Sequence, residues 1–424
     1  MNVFIKLFLK EKDNILFNGL IFYYWLVFSF INYQNNPNDA DAYNGTGLRF
    51  LILVIPLIVY VAINAKVFLK IKFEKKIMWL IIYAIIVSGL SLIRLDFKTV
   101  INIGALVLPL IIITTIKPAM NLKMINILFL ISIVIVIFLH KNGVSQYGYL
   151  PGQTIGNLNE GLWWRISIWE YCTPPFSAVF ALIILIANFF YNPGRSRYLF
   201  YILGLYFIIF SGSRTALIVI FAGCIFLLST RVKIFKPRLF IKAFPALCFV
   251  LYYLLLLFPI IIMFISIDNE FINSFLFRQA EGYEELEEQI ARPKLISTQL
   301  AIFLDNSALG VGTKSLNEQY KLLTHGTAAE GTVGSDTFIT YLLARDGLAL
   351  IFLILFFASL FSEATKKNDF VMYLMLLTIM IYATSYGGFL NFMSPMFLMM
   401  WGLVYSGNNR QLTDRQGATC PKPV

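Results

Sequence analysis

Apolar residues run along this chain in long blocks, separated by short stretches rich in Lys, Arg, Asn, Gly and Pro. A bilayer core asks for about 20 apolar residues per crossing helix, and somewhat fewer suffice where flanking groups snorkel or the bilayer thins. Twelve blocks meet that standard, at 15–32, 50–65, 77–93, 99–116, 124–139, 175–191, 198–213, 215–229, 243–266, 347–362, 371–387 and 389–406. They predict an all-α polytopic membrane protein with about 12 transmembrane helices. The first block is expected to stay as an anchor, because "INYQNNPNDADAYN" follows it without a small-residue cleavage site.

Composition agrees. Hydrophobic residues make up 58% of the 424 and charged residues only 13%, with a mean hydropathy of +0.75, which excludes an ordinary soluble domain. With the N-terminus cytoplasmic, 22 of the 34 Lys and Arg fall inside, among them "KVFLKIKFEKK", "GRSR" and "RVKIFKPR", against 12 in much longer outer loops. Both termini are therefore expected in the cytoplasm. The net charge of +11 then reflects topology and contact with anionic membrane lipids, with no nucleic-acid partner.

One membrane domain is expected: spans one to nine with an external loop at 140–174 (1–266), a large external loop (267–346), and the last three spans with a cytoplasmic tail (347–424). Loops this long usually carry function. Within the second, "EGYEELEEQIARPKLISTQLAIF" reads as an amphipathic helix outside the membrane. Two histidines and four scattered cysteines suggest neither a metal site nor a disulfide framework. The predicted spans hold no Asp, Glu, Lys, Arg or His, so an ion-coupled carrier is disfavoured and a lipid-linked oligosaccharide flippase loses ground. Charge chemistry is expected at the outer face.

Arg214 is the charge in "FIIFSGSRTALIVIF". The Ser-Gly-Ser turn separates two spans, lets Ser213 cap the second and puts Arg214 in its first turn. A cation opposes the helix dipole there unless an anion joins it on the free N–H groups. Phosphate or diphosphate fits, and so does a snorkelling arginine; the turn alone leaves both open.

Three segments together resemble the O-antigen ligase and O-antigen polymerase superfamily, most closely its Wzy-type polymerases. "SGSRTALI" resembles the family's S/T-R-[TS]-A-hydrophobic element. "RPKLISTQLAIFLDNSALGVGTKSL" is similar to its external helix opened by arginine and closed by a G-x-G turn, with Arg292 eighteen positions before Gly310. "DTFITYLLARDGLALIFLIL" resembles the external helix that leads through a glycine into the next span. The chain departs from the family at Ile296, where tryptophan is frequent, at Ser307, where proline is frequent, and at Asp336, where many members, ligases especially, have histidine.

The resemblance implies a GT-C-like membrane glycosyltransferase that joins undecaprenyl-diphosphate-linked O-units at the periplasmic face of a bacterial inner membrane. It implies no cofactor, no metal and no nucleotide sugar, and leaves room for a chain-length regulator protein as partner. The alternative within the family is a ligase that transfers polymer to lipid A core. The site residues it suggests each have a plainer reading. Arg292 fits the leaving diphosphate, or a pair with Glu287 or Glu288. Arg165, in "EGLWWRISIWEY", fits diphosphate or glycan binding among tryptophans that also suit a membrane edge. Asp336 fits the base that takes the acceptor proton, or an N-cap for "TFITYLLARDG". His325 is an alternative base. Arg345 fits the diphosphate, or a local pair with Asp346 and a face shared with Tyr341 and Thr337.

Overall fold

The computed structural model describes residues 2–30, 47–66, 74–141, 174–210, 214–232, 286–306, 309–313, 315–316, 319, 338–367, 369–385 and 395–414. Every regular element among them is helical. In chain order these are α1 (Asn2–Phe30), α2 (Gly47–Ile63), α3 (Lys75–Ile93), α4 (Phe97–Ile116), α5 (Leu122–Lys141), α6 (Pro174–Tyr191), α7 (Arg197–Phe210) and α8 (Arg214–Val232). Then come α9 (Leu286–Asp305), α10 (Phe338–Asp346), a 3-10 turn at Gly347–Ala349, α11 (Leu350–Lys367), α12 (Phe370–Ser385) and α13 (Pro395–Asp414).

Eleven of the twelve apolar blocks overlap these helices, and the block at 243–266 lies outside the described residues. Three stretches, Lys75–Ile93, Thr99–Ile116 and Ile339–Lys367, are long and apolar enough to cross a membrane, with shorter apolar helices beside them. Large apolar side chains also face outward: Ile85, Val134, Ile202 and Phe221 are each more than half exposed. Outward-facing apolar side chains in this number suit a lipid surrounding.

In lipid, helices gain little from burying apolar surface against each other, so packing and interhelical hydrogen bonds must hold them. Both are present. α3 packs on α4 and α11, α6 on α7 and α13, and α12 on α11, α13 and α8. Trp401 of α13 stacks on Tyr405 and meets Phe356 and Phe357 of α11. Asn126 of α5 and Asn188 of α6 exchange amide hydrogen bonds of 3.0 and 2.8 Å. Asn18 of α1 donates to the Ala119 carbonyl at 2.9 Å, and Asn14 accepts from the Ala119 N–H at 2.7 Å, which ties α1 to the α4–α5 connection.

Charges gather at one end of the bundle. Lys76 at the start of α3 reaches Glu363 near the end of α11 at 2.7 Å and Glu74 at 2.9 Å, and Lys367 also pairs with Glu363 at 2.7 Å. α3 leaves this end, so its last residues and the α3–α4 turn lie at the other, where α11 begins. The proposed site is built there.

Candidate functional site

The turn Arg94–Asp96 joins α3 to α4, with Leu95 in the left-handed region at φ 56°. Asp96 is the N-cap of α4: its carboxylate accepts the Thr99 N–H at 3.2 Å and the Thr99 hydroxyl at 2.8 Å. The same carboxylate accepts the backbone N–H of Thr313 at 2.7 Å, from a residue 217 positions away. The Thr99 proton points at Asp96, so the 2.6 Å contact between the two threonine hydroxyls has Thr313 as donor. All three side chains are buried. A buried carboxylate with three donors is well satisfied, whereas each donor removed from it costs about 1–3 kcal/mol.

Thr313 directly follows the Gly310-Val311-Gly312 turn, and that turn fits because it has no side chains at its ends. Gly310 sits at φ +68°, and a Cβ there would lie 2.4 Å from both the Arg345 carbonyl oxygen and the Gly347 nitrogen. Gly312 sits at φ +77°, and a Cβ there would lie 2.7 Å from the Asp96 carboxylate. Between them the Val311 N–H donates to the Ala344 carbonyl at 3.0 Å. The G-x-G turn is thus clasped on one side by the α3–α4 turn and on the other by the break between α10 and α11. Gly347 makes that break at φ +65°, a conformation costly for a residue with a Cβ.

Arg345 and Asp346 end α10 and are both buried. Arg345 Nε donates to Asp346 Oδ1 at 2.6 Å and Nη2 to Oδ2 at 2.7 Å, a bidentate pair. The Tyr83 hydroxyl of α3 donates to Asp346 Oδ2 at 2.6 Å, and the guanidinium lies 5.5 Å over the Tyr341 ring. The local pairing and the contact with Tyr341 are as the spacing allowed. Burial is deeper than a surface pair would have: both residues lie within the apolar stretch Ile339–Lys367 and are packed against Tyr83 of α3. The pair tolerates burial because each charge faces the other and the remaining lone pairs have donors.

α9 ends at Asp305, five residues before the G-x-G turn, and packs along α10, where the Thr340 hydroxyl donates to the side-chain amide oxygen of the buried Gln299 at 2.5 Å. Asn306 then turns back, donating to the Ile302 carbonyl at 2.7 Å and to Gln319 at 3.1 Å.

Of the residues expected from sequence, Arg345 is placed fully, in its pair with Asp346. Arg214 is the first residue of α8 and Arg292 the seventh of α9, two helical turns before Gln299; their side chains lie outside the described residues, as do Arg165, His325 and Asp336 entirely. α7 starts beside Asn192, which donates to Asn188 at 2.9 Å on the Asn126 side of the bundle, so α8 begins at the opposite end, the one that carries the clasp.

Sequence reasoning passed over Asp96, Thr99, Thr313, Tyr83 and Gln299. A signal existed for one: an aspartate three residues before a threonine, directly ahead of an apolar run, is a helix N-cap pattern. Nothing local marks the partnership with Thr313.

Among the described residues the elements are helical, three stretches are long and apolar enough to cross a membrane, and a glycine turn is locked at one end of the bundle. Residues 199–355, from α7 to the first turns of α11, match the family model described as O-antigen ligase. The match covers somewhat more than a third of the chain and agrees with the likeness to the O-antigen ligase and polymerase superfamily. No curated protein matches the chain.

Proposed function

We propose that the chain is an O-antigen polymerase of the Wzy type, working at the periplasmic face of a bacterial inner membrane with both termini in the cytoplasm. The observation that carries the reading is that the matched segment, 199–355, contains the glycine turn and the helix break it locks into, along with the helices that carry Arg214 and Arg292. Asp336 favours polymerase over ligase, because it stands where the resemblance implies histidine in many members, ligases especially.

In the proposed reaction a hydroxyl of the acceptor O-unit attacks the anomeric carbon of the donor glycan. The bond from that carbon to the diphosphate oxygen breaks, and undecaprenyl diphosphate leaves with the electron pair. Negative charge grows on the leaving group, so cations fixed where it develops stabilise the transition state more than the ground state. Arg214 and Arg292 take that role, with planar forks that hold two phosphate oxygens at once. Arg165 contributes to glycan or diphosphate binding from the 140–174 loop. Asp336 accepts the acceptor proton, with His325 as the competing base. Arg345, expected among the diphosphate ligands, is paired with Asp346 through two of its donors, and in this proposal it also shapes the helix break.

Deleting the gene and resolving lipopolysaccharide on a gel tests this. Core carrying a single repeat supports polymerase. Bare core with polymer stranded on undecaprenol means ligase, and unaltered surface glycan removes both.

A further inference from the structure

The α3–α4 turn lies outside the segment that carries the family match, yet its one carboxylate reaches into that segment's glycine turn. Asp96 does two things with one group. It caps α4 through the Thr99 N–H, and it holds the peptide N–H of Thr313 at 2.7 Å. Thr99 adds a second strut, accepting from the Thr313 hydroxyl at 2.6 Å and from the Thr313 N–H at 3.1 Å. Gly312 lets the carboxylate come this close, since any Cβ would intrude to 2.7 Å of it.

A simple helix cap needs none of this. Serine, threonine or asparagine would cap α4 as well as aspartate, but only a group that accepts on both faces at once can also take the Thr313 N–H and the Thr99 hydroxyl. The turn so held follows α9, the helix that carries Arg292, five residues beyond its end at Asp305, and its other side is fixed to the α10–α11 break by the Val311–Ala344 bond and the close fit of Gly310. The segment into which α9 runs is therefore anchored from two directions, and one of those anchors is Asp96.

We propose that Asp96, with Thr99, is a positioning residue for glycosyl transfer: it sets where α9 presents Arg292 by clamping the glycine turn through Thr313. This rests on the polymerase reading for its kinetic consequence, though not for the clamp itself. Moving a cation that stabilises developing charge harms the transition state more than donor binding, so the clamp's loss falls on kcat and leaves KM nearly as it was.

The test uses the full chain in lipid nanodiscs. Asp96→Asn keeps the cap but turns an NH₂ donor toward the donors of Thr99 and Thr313, provided its oxygen serves Thr99 N; Thr99→Val removes the strut, and Thr99→Ser restores it. Hydrogen exchange of a peptide covering 309–316 reads the clamp without any assay of activity. Transfer between lipid-diphosphate-linked oligosaccharides reads its consequence. Asp96→Asn and Thr99→Val are expected to speed exchange in 309–316 and to lower kcat by about tenfold or more with KM within about twofold, and Thr99→Ser to behave as wild type in both.

Glu363→Gln, which breaks the ion cluster at the far end, is the control for general loosening and is expected to leave both readouts unchanged. Unchanged exchange in Asp96→Asn and Thr99→Val overturns the clamp. Faster exchange with kcat intact, or an equal loss in Glu363→Gln, overturns the positioning role. Wild-type protein inactive on every lipid-diphosphate donor removes the polymerase reading, and the exchange result alone then decides the clamp.

Discussion

A Cβ at Gly310 would stand 2.4 Å from the carbonyl oxygen of Arg345, thirty-five residues further along the chain. Neither partner can yield easily, because the obstacle is backbone and Gly310 is itself at φ +68°. Gly310→Ala is therefore expected to destabilise the clasp by about 1–3 kcal/mol through strain and displacement. It should insert normally and lose most activity. Comparing polymer yield per inserted molecule with the wild type checks it, and near-normal yield would mean the turn can shift without consequence.

Asp346 is the second structural test. Asp346→Ala leaves the Arg345 guanidinium buried without its partner, an expected loss of about 3–5 kcal/mol. Tyr83→Phe removes one hydrogen bond to the same carboxylate and should cost less, about 1–3 kcal/mol. Denaturation of the detergent-solubilised variants gives the order, and equal losses would show that Tyr83 and Arg345 are not separate supports of Asp346.

The helices were legible in the sequence and the clasp was not, for physical reasons that differ. α3, α4 and α6 stand within two residues of the apolar blocks at 77–93, 99–116 and 175–191, because their limits follow local sequence: the end of the apolar run for α3, the Asp96 cap for α4 and the proline pair that opens α6. The glycines at 310 and 312 were visible as a spaced pair, and the structure supplies their reason in the approach of Arg345 and Asp96. Asp96 itself lies in a short turn that reads as a mere connection, and its bond to Thr313 exists only once the α3–α4 turn meets the glycine turn. Burial of Arg345 and Asp346 escaped for the same cause: charge beside a glycine reads as membrane surface until Tyr83 is known to face it.

Arg214 tests geometry against charge. Arg214→Lys keeps the cation at the start of α8 and loses the planar fork, so a rate loss of about tenfold or more, on the order of 1.4 kcal/mol, is expected with insertion unaffected. Normal polymer would leave Arg214 as an interfacial anchor.

For Arg292 the comparison is with neighbouring cations. Arg292→Ala should abolish transfer, while Lys294→Ala and Lys321→Ala should retain it. Equal tolerance at all three positions would reduce α9 to a cover over the site.

The proton acceptor is decided by two substitutions. Asparagine caps helices about as well as aspartate, so Asp336→Asn should give a folded, inserted and inactive protein, and His325→Ala an active one. The reverse pattern would assign the base to His325. Activity in both would leave the acceptor hydroxyl to lose its proton to solvent or to the departing diphosphate.

The central claim is polymerisation, and reconstitution tests it most directly. The purified chain, placed in a bilayer with undecaprenyl-diphosphate-linked repeat units and no lipid A core, is predicted to build a ladder of two, three and more repeats on the lipid carrier. The contradicting result is no ladder under those conditions and transfer of glycan only when lipid A core is supplied.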